Sequence, residues 1–425
     1  MYIGPSQKQQ AWQEALYKGN DNLLLNLSKT EPPGVTYFQI ATYINGLYRM
    51  SSGPFVAIEN VKSQIQRVLP LLKNLRKEMG WKQRDIDIGL LRMIRRSSAL
   101  SFVIGAGVTI AAGGPSWPEL VQVLLETALE KGHEISRMVP TPDSTPDHIQ
   151  VRREVVKVER FKPEYEKKAK KVLKSIRKKK FDTEMLMEGA QLCYDLFGQF
   201  LFQHLTQIIY SRASKPSEIH KAIADLSYGQ MVPERGPGIF PGVESIINYN
   251  FDDLMESALK EIQIPYVAWL MDNSEVKTIY NQLAKNNNWH LPIYHLHGYT
   301  PQDLFQITNI NFIFSTAQYY QVYSGQKTGL IEEVLKRYLA NPVHIALYVG
   351  CSFTDQSMNR MLREAENQYP GRFHFAILKL PEDLIGKIPT IDQLESISIP
   401  YYEMGVYPIW TQSFDEIPDI IHSLS

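Results

Sequence analysis

Two histidines and a group of short polar side chains are the residues best equipped for chemistry. His295-Leu296-His297-Gly298 follows the apolar run Leu291–Tyr294. An imidazole titrates near neutrality and is the natural proton acceptor for a hydroxyl group or a water. His295 and His297 lie two apart, so on an extended chain they share a face. No compact third ligand accompanies them, and no metal is expected. His295 also fits a packed, hydrogen-bonded histidine. The second group is Asn248-Tyr249-Asn250-Phe251-Asp252-Asp253, straight after Ile246-Ile247. An amide both donates and accepts, so Asn250 can hold a sugar hydroxyl or a water. Asn250 and Asp252 equally fit turn and N-cap residues for a helix over 253–259.

Two glycine-bearing segments suit a ligand that approaches the backbone. Gly105-Ala106-Gly107-Val108-Thr109 follows the apolar run Leu100–Ile104, and Gly350-Cys351-Ser352-Phe353-Thr354-Asp355 follows Tyr348-Val349. Glycines there allow a tight turn, and free N–H groups can cradle a pyrophosphate. The first segment departs from the dinucleotide fingerprint, because Ile110 stands where the third glycine would be. Cys351 reads as a small buried hydrophobe, with nothing nearby to make it a nucleophile. Ser116, with Glu119 three residues on, has the spacing of a capping box for the helix that begins at Trp117.

All four segments sit at the ends of apolar runs, so strands must position them. Strands are expected at Leu100–Ile104, Ser245–Ile247, Leu291–Leu296, Phe312–Phe314, His344–Val349 and Phe373–Leu378. Helical patterns lie between them, among them Phe251–Leu259, Ala317–Gly325 and Ile331–Leu339. The alternation predicts an α/β fold, a Rossmann-like and mostly parallel sheet covered on both faces. Such sheets bind ligands beyond the carboxyl ends of their strands. Residues 1–95 read as a helical N-terminal region, with patterns at Gln10–Leu27 and Val61–Met79, suited to assembly or docking. The catalytic domain is expected at 96–400, with a mainly helical insert at 132–240 and a tail at 401–425. Phe181–His204 reads as one helix in that insert.

Composition narrows the functional classes. The 425 residues hold 45 Lys+Arg and 45 Asp+Glu, a net charge of zero, which argues against a surface built throughout to coat nucleic acid. The exception is local: residues 151–180 hold 14 basic and 4 acidic side chains. That run fits a solvated helix, or a docking site for nucleic acid or an acidic protein surface. Two cysteines exclude a disulfide framework and a four-cysteine zinc module within the chain. With no apolar run in the first 20 residues and no uninterrupted apolar stretch of membrane-spanning length, a cytoplasmic protein without a membrane partner is expected.

Taken in order, these four motifs resemble the SIR2-like family, in particular its bacterial branch of NAD-consuming enzymes. Gly105-Ala106-Gly107-Val108-Thr109 is similar to the family's Gly-Ala-Gly-x-Ser. Gly114-Pro115-Ser116-Trp117-Pro118-Glu119-Leu120 is similar to its Gly-x-Pro-Ser-Trp-x-x-Leu. Asn248-Tyr249-Asn250-Phe251-Asp252 resembles its Thr-Thr-Asn-Tyr-Asp, and Phe314–Tyr320 resembles the segment after its histidine. Gly350-Cys351-Ser352-Phe353-Thr354-Asp355 resembles its late Gly-x-Ser-x-x-Asp. The resemblance covers residues 100–130 and about 240–380. Thr109 and Asn248 replace the common Ser and Thr and keep hydrogen-bonding capacity.

The resemblance implies cleavage of the nicotinamide–ribose bond of NAD, with NAD as substrate and no metal. Asn250 takes the place of the family's active-site asparagine and His297 that of its catalytic histidine, with Asp252 holding the geometry or balancing charge. Gly105, Ala106, Gly107 and Thr109 would meet the pyrophosphate and adjacent ribose. Gly350 and Ser352 would contact the adenosine side, and Ser116 and Trp117 complete the binding residues. The absent zinc module turns the expectation from protein deacylation to plain NAD hydrolysis. Bacterial relatives of this kind act in anti-phage defence, many as large homo-oligomers or beside an ATPase, an Argonaute-like protein or a phage-sensing component. Two rival expectations remain: a module that binds NAD without hydrolysing it, and a nucleic-acid or assembly factor acting through residues 151–180.

Overall fold

Leu100–Ile104 is buried at every position, and a strand with no solvent face belongs inside a sheet covered on both sides. The computed structural model describes residues 100–130, 134–140, 151–157, 163–198, 201–228, 230–231, 239–240, 242–270, 290–302, 313–315, 318, 329–339, 344–368 and 374–425, together with 21–30, 83–95 and scattered positions between 11 and 75. In chain order the first elements are α1 (Asp21–Thr30), α2 (Gln83–Arg95), β1 (Leu100–Ile104), α3 (Ala106–Ala111) and α4 (Trp117–Leu129). Then come β2 (Glu134–Pro140), β3 (Val151–Lys157), α5 (Pro163–Arg177), α6 (Thr183–Phe197), α7 (Leu201–Arg212) and α8 (Glu218–Ser227). They are followed by β4 (Gln230–Met231), β5 (Ile239–Phe240), β6 (Ser245–Asn248), α9 (Leu254–Glu261), β7 (Tyr266–Trp269) and β8 (Leu291–His295). The last are α10 (Gly329–Val334), β9 (Ile345–Val349), α11 (Gln356–Gln368), β10 (His374–Lys379), α12 (Ile391–Tyr402), β11 (Val406–Thr411) and α13 (Ile417–His422).

Seven strands form one sheet in the order β11-β10-β9-β1-β6-β8-β7. Every neighbouring pair is parallel. From β1 the chain adds β6, passes to the edge strand β7, and returns to place β8 between β6 and β7. It then crosses to the other side of β1 and builds β9, β10 and β11. The strand order reverses at β1, which makes its carboxyl end a topological switch point, where such sheets bind ligands.

Each face of the sheet has its own core. Phe102, Ile104, Ile246, Ile293 and Leu347 share one cluster with residues of α8, α9 and α13. Trp12, Leu24 and Leu91 of the N-terminal region belong to that same cluster. Arg84 of α2 pairs with Glu416 at 2.6 Å, and Arg92 Nε donates to the Ser423 carbonyl at 2.7 Å. Val103, Ile247, Tyr294 and Tyr348 pack on the opposite face with residues of α10, α11 and α12. A third cluster lies within α4 to α7, and Phe251 and Phe314 join it from the sheet's loops.

The α/β fold class is as the sequence implied, with several local corrections. Ile313-Phe314 is not a strand: the Ile313 N–H donates to the His297 carbonyl at 2.8 Å, and Gln318 Oε1 accepts from the Phe314 and Ser315 N–H groups. That run is apolar because Phe314 packs on aromatic rings, not because it pairs in a sheet. Strands β7 and β11 were not expected. Residues 401–425, read as a tail, carry the buried edge strand β11 and helix α13, whose Ile417, Ile420 and Ile421 are buried in the core. The insert contains an antiparallel hairpin, β2 with β3, as well as helices. Its basic run 151–180 is therefore a strand and then a helix. The helix expected over 181–204 is divided at Gly198, whose φ of +49° lies in the left-handed half of the map. The helical patterns at 61–79 and 317–325 fall largely outside the described residues.

Candidate active site

The loops after β1 and β9 meet backbone to backbone. The Gly105 N–H donates to the Val349 carbonyl at 3.0 Å, and the Gly107 N–H donates to the Gly350 carbonyl at 2.8 Å. A Cβ on Gly107 would lie 2.7 Å from Gly350 Cα. Gly350 itself has φ +68°, and a Cβ there would lie 2.6 Å from the Val108 nitrogen. Only hydrogen fits at both positions. Two of the N–H groups expected to cradle a pyrophosphate are thus already bonded to the β9 loop. What the crossing leaves toward solvent is Ala106 and Ser352, with Gly107 and Gly350 half-buried. The Ser352 hydroxyl lies 2.7 Å from that of Thr354. Cys351 is buried, and burial pushes its thiol pKa up, as suits an inert packing residue.

The loops after β6 and β8 are tied by backbone bonds, the Leu296 N–H to the Asn248 carbonyl at 3.0 Å and the Thr300 N–H to the Phe251 carbonyl at 2.5 Å, and the β6 loop carries a side-chain network of its own. Asn248 Oδ1 accepts the Asn250 N–H at 2.8 Å, and Asn250 Nδ2 donates to the Gly105 carbonyl at 2.9 Å. Among the described residues the Asn250 Oδ1 accepts no hydrogen bond, and the side chain keeps 7% of its exposure. Asp252 is 1% exposed. Its Oδ1 accepts the Leu254 N–H at 3.2 Å, and its Oδ2 accepts the Thr109 hydroxyl at 2.5 Å. The structure therefore turns Thr109 toward Asp252. The turn reading of this segment applies to Asp252, while Asn250 retains a free acceptor. Burial pushes the Asp252 pKa up to about 6, against the lowering effect of the Thr109 and Leu254 bonds.

Asp253 is held from the insert. Its N–H donates to the Tyr210 hydroxyl at 2.8 Å, and its Oδ1 lies 2.7 Å from that hydroxyl. The same hydroxyl stands 2.6 Å from the Thr300 carbonyl, and the Gln302 N–H reaches Asp253 Oδ2 at 2.9 Å. Tyr210 of α7 thereby joins the β6 and β8 loops. Burial, together with the two aspartates, pushes its pKa up, so the phenol keeps its proton.

The two histidines have different surroundings. His295, inside β8, is fully buried with its Nε2 2.6 Å from Glu256 Oε1 of α9. His297 lies beyond the strand end, before Gly298 with φ +113°. Its Nε2 is 3.5 Å from Asp355 Oδ2, and its ring stands edge-on to Tyr249 with centroids 4.9 Å apart. The extended spacing that would put both histidines on one face ends at the strand's last residue. Burial lowers the His297 pKa below the ordinary histidine value, and the Asp355 charge opposes that shift. The neutral ring that can accept a proton is thus favoured near pH 7. Asp355 also caps α11: its Oδ1 accepts from the Ser357 hydroxyl and from the Met358 N–H at 2.9 Å.

Ser116 caps α4 as its spacing implied. The Glu119 carboxylate accepts from the Ser116 N–H at 2.8 Å and its hydroxyl at 2.7 Å, and these bonds hold its pKa below the usual range. Trp117 stands edge-on to Phe314 with centroids 4.9 Å apart, and Phe314 is 6.1 Å from Phe251. The three rings form an aromatic wall of the insert's core, with Phe251 lying between Asn250 and Asp252 in the chain. Sequence reasoning gave Asp355 only as the last residue of the late motif and Asp253 only as part of the polar cluster, and it passed over Tyr210 and Thr300. No local pattern marks Tyr210, which reaches the site from forty-three positions before Asp253.

Among the described residues no group of three or more His, Cys, Asp or Glu side chains is placed to hold a metal ion, and no helix is long and apolar enough to cross a membrane. Residues 244–402 match the model of the SIR2-like domain family. That span runs from the start of β6 to the end of α12 and holds the asparagine, histidine and Gly-Cys-Ser segments. It is consistent with NAD-modifying chemistry in general terms. No curated protein matches the chain.

Proposed function

We propose that the protein is an NAD glycohydrolase, which cleaves the nicotinamide–ribose bond with water to give nicotinamide and ADP-ribose. The observation that carries this reading is the pairing, at adjacent strand ends, of an amide with an unused acceptor, Asn250, and a favoured-neutral imidazole, His297. In the reaction the bond from the anomeric carbon to the pyridine nitrogen breaks, and its electron pair returns to the ring. Water forms the new bond to that carbon, and its proton passes to His297. Asn250 Oδ1 orients the water or a ribose hydroxyl. Asp252, held by Thr109, keeps the β1 and β6 loops in register around the ribose.

Ala106, Gly107, Gly350 and Ser352 bound the open part of the switch point and suit the pyrophosphate and adenosine. Asp355 is a positioning residue: its Oδ2 faces His297 while its Oδ1 is fixed by α11. Use of the reaction in anti-phage NAD depletion, and assembly into a homo-oligomer, rest on the resemblance of the motif series. The test is a timed incubation of wild type and His297→Ala with NAD, read by chromatography and mass detection. Nicotinamide and ADP-ribose from wild type alone support the reading. Intact NAD in a stoichiometric mixture with wild type points to a binding module. Wild-type turnover retained by both His297→Ala and Asn250→Ala would overturn the residue assignments.

A further inference from the structure

Helix α5 has two unlike faces. Ala169, Val172, Leu173 and Ile176 are buried in the insert's core. They pack toward α4 and α6 at Gly189, where an added Cβ would lie 2.8 Å from Val121 and 3.1 Å from Val172. The other face carries exposed cations. Nine of the fourteen residues from Lys167 to Lys180 are Lys or Arg, and all nine are exposed. Only Lys170, with Glu166, and Arg177, with Glu126, form ion pairs among the described residues. Lys167, Lys171, Lys174 and Lys178 follow one another at spacings of four, three and four. They make a single stripe roughly 16 Å long at the helical rise.

A solvated helix face normally mixes signs, because like charges three and four apart repel. From Lys167 onward this stripe is all of one sign, the exposed Glu164 standing three residues before it, with Lys168 on its flank. Lys179 even occupies the left-handed position after the helix, φ +52°, where glycine is usual. The basic helix end suits the macrodipole, but only over the last turn, and the stripe extends well before it. The one aromatic residue of α5, Tyr165, is partly buried against the insert's core. The exposed face therefore lacks the stacking rings that single-strand binders combine with positive charge.

We propose that this face of α5 docks the phosphate backbone of a nucleic-acid duplex. The contact is charge-to-phosphate and sequence-independent, made by a straight rigid row rather than by base readout. It lies on the insert, apart from the strand ends, and does not depend on the NAD reading.

The test is fluorescence anisotropy with the full chain and labelled duplex DNA, duplex RNA and single strands of about 20 nucleotides. With about four phosphate contacts, duplex affinity should fall on the order of 100-fold from about 50 to about 200 mM salt. Replacing Lys167, Lys171, Lys174 and Lys178 together by Glu should remove duplex binding at the lower salt. The same four changed to Gln should weaken it less and flatten the salt dependence. The Gln protein serves as the test if the Glu protein does not fold, with thermal unfolding as the check. Absence of duplex binding by wild type at low salt overturns the proposal, as does equal binding by the folded variants. Tighter binding of single strands than of either duplex also overturns it, as does capture by anionic phosphatidylserine vesicles without duplex binding.

Discussion

Two pairs of loops meet at the switch point, and they are held together by different means. The β1 and β9 loops cross at Gly107 and Gly350, where backbone lies against backbone and no side chain fits. The β6 and β8 loops are joined by two backbone hydrogen bonds, Leu296 to Asn248 and Thr300 to Phe251, and in addition by the side chains of Asp253 and Tyr210. The first pair is a rigid floor whose glycines serve packing before any ligand arrives. The second adds to its backbone bonds a polar network whose side chains can be shortened without a backbone clash. Loss of activity therefore means different things in the two places.

The largest expected effect tests the floor. Gly107→Ala or Gly350→Ala should destabilise the protein by about 3 kcal/mol or more, through overpacking and, at Gly350, a disfavoured backbone. Thermal unfolding measures it, and a wild-type melting temperature in both variants would break the distinction between the loop pairs. In the network, His297→Ala and Asn250→Ala should each lower NAD turnover by roughly 100-fold or more. Their melting temperatures should stay close to wild type.

A smaller effect is expected at Asp355. Asp355→Asn keeps the Oδ1 acceptor that caps α11 and removes the charge beside His297. Turnover needs neutral His297, so the rate falls as pH drops through its pKa. Without the opposing Asp355 charge that pKa goes lower still, so the acid limb of the pH–rate profile should move to lower pH. The loss near neutrality should be less than that for His297→Ala. An unmoved acid limb would return Asp355 to a capping role alone.

The smallest effect concerns Asp252. Its pKa rises on folding from 3.8 to about 6. The native state therefore binds more protons than the unfolded chain between those values, and stability falls as pH rises through that window. Asp252→Asn removes this slope. Melting temperature followed from about pH 4 to about pH 7 should decline less in the variant than in wild type, and parallel curves would contradict the assignment.

The sequence made the interior strands legible, because they are uninterrupted apolar runs that end in glycine or short polar residues. The edges were harder to read. Strand β11 contains Pro408, which usually argues against a strand, yet an edge position tolerates the missing donor. Strand β7 is four residues long and largely half-buried, so it lacks the run that marked β1. Phe312–Phe314 misled for the opposite reason, since its apolar residues serve the aromatic wall. At the site, residue types and their order marked Asn250 and His297. Partner choice did not follow from them: whether Thr109 faces a ligand or Asp252, and which acid stands by which histidine, depends on contacts between distant segments. The family match from residue 244 onward likewise omits β1 and its glycine loop, although that strand is the centre of the sheet.

The Tyr210 hydroxyl also determines how much of this protein is portable. A chain trimmed to the sheet and its connecting helices, with residues between α4 and α8 excised, would look complete as a topology. It would nevertheless leave the Asp253 N–H and Oδ1 and the Thr300 carbonyl without the phenol, while the Thr300 N–H still donates to the Phe251 carbonyl and the Gln302 N–H to Asp253 Oδ2. The smallest graft that carries this full set of loop contacts to another scaffold therefore includes the insert, and shortening is confined to segments that never touch that phenol.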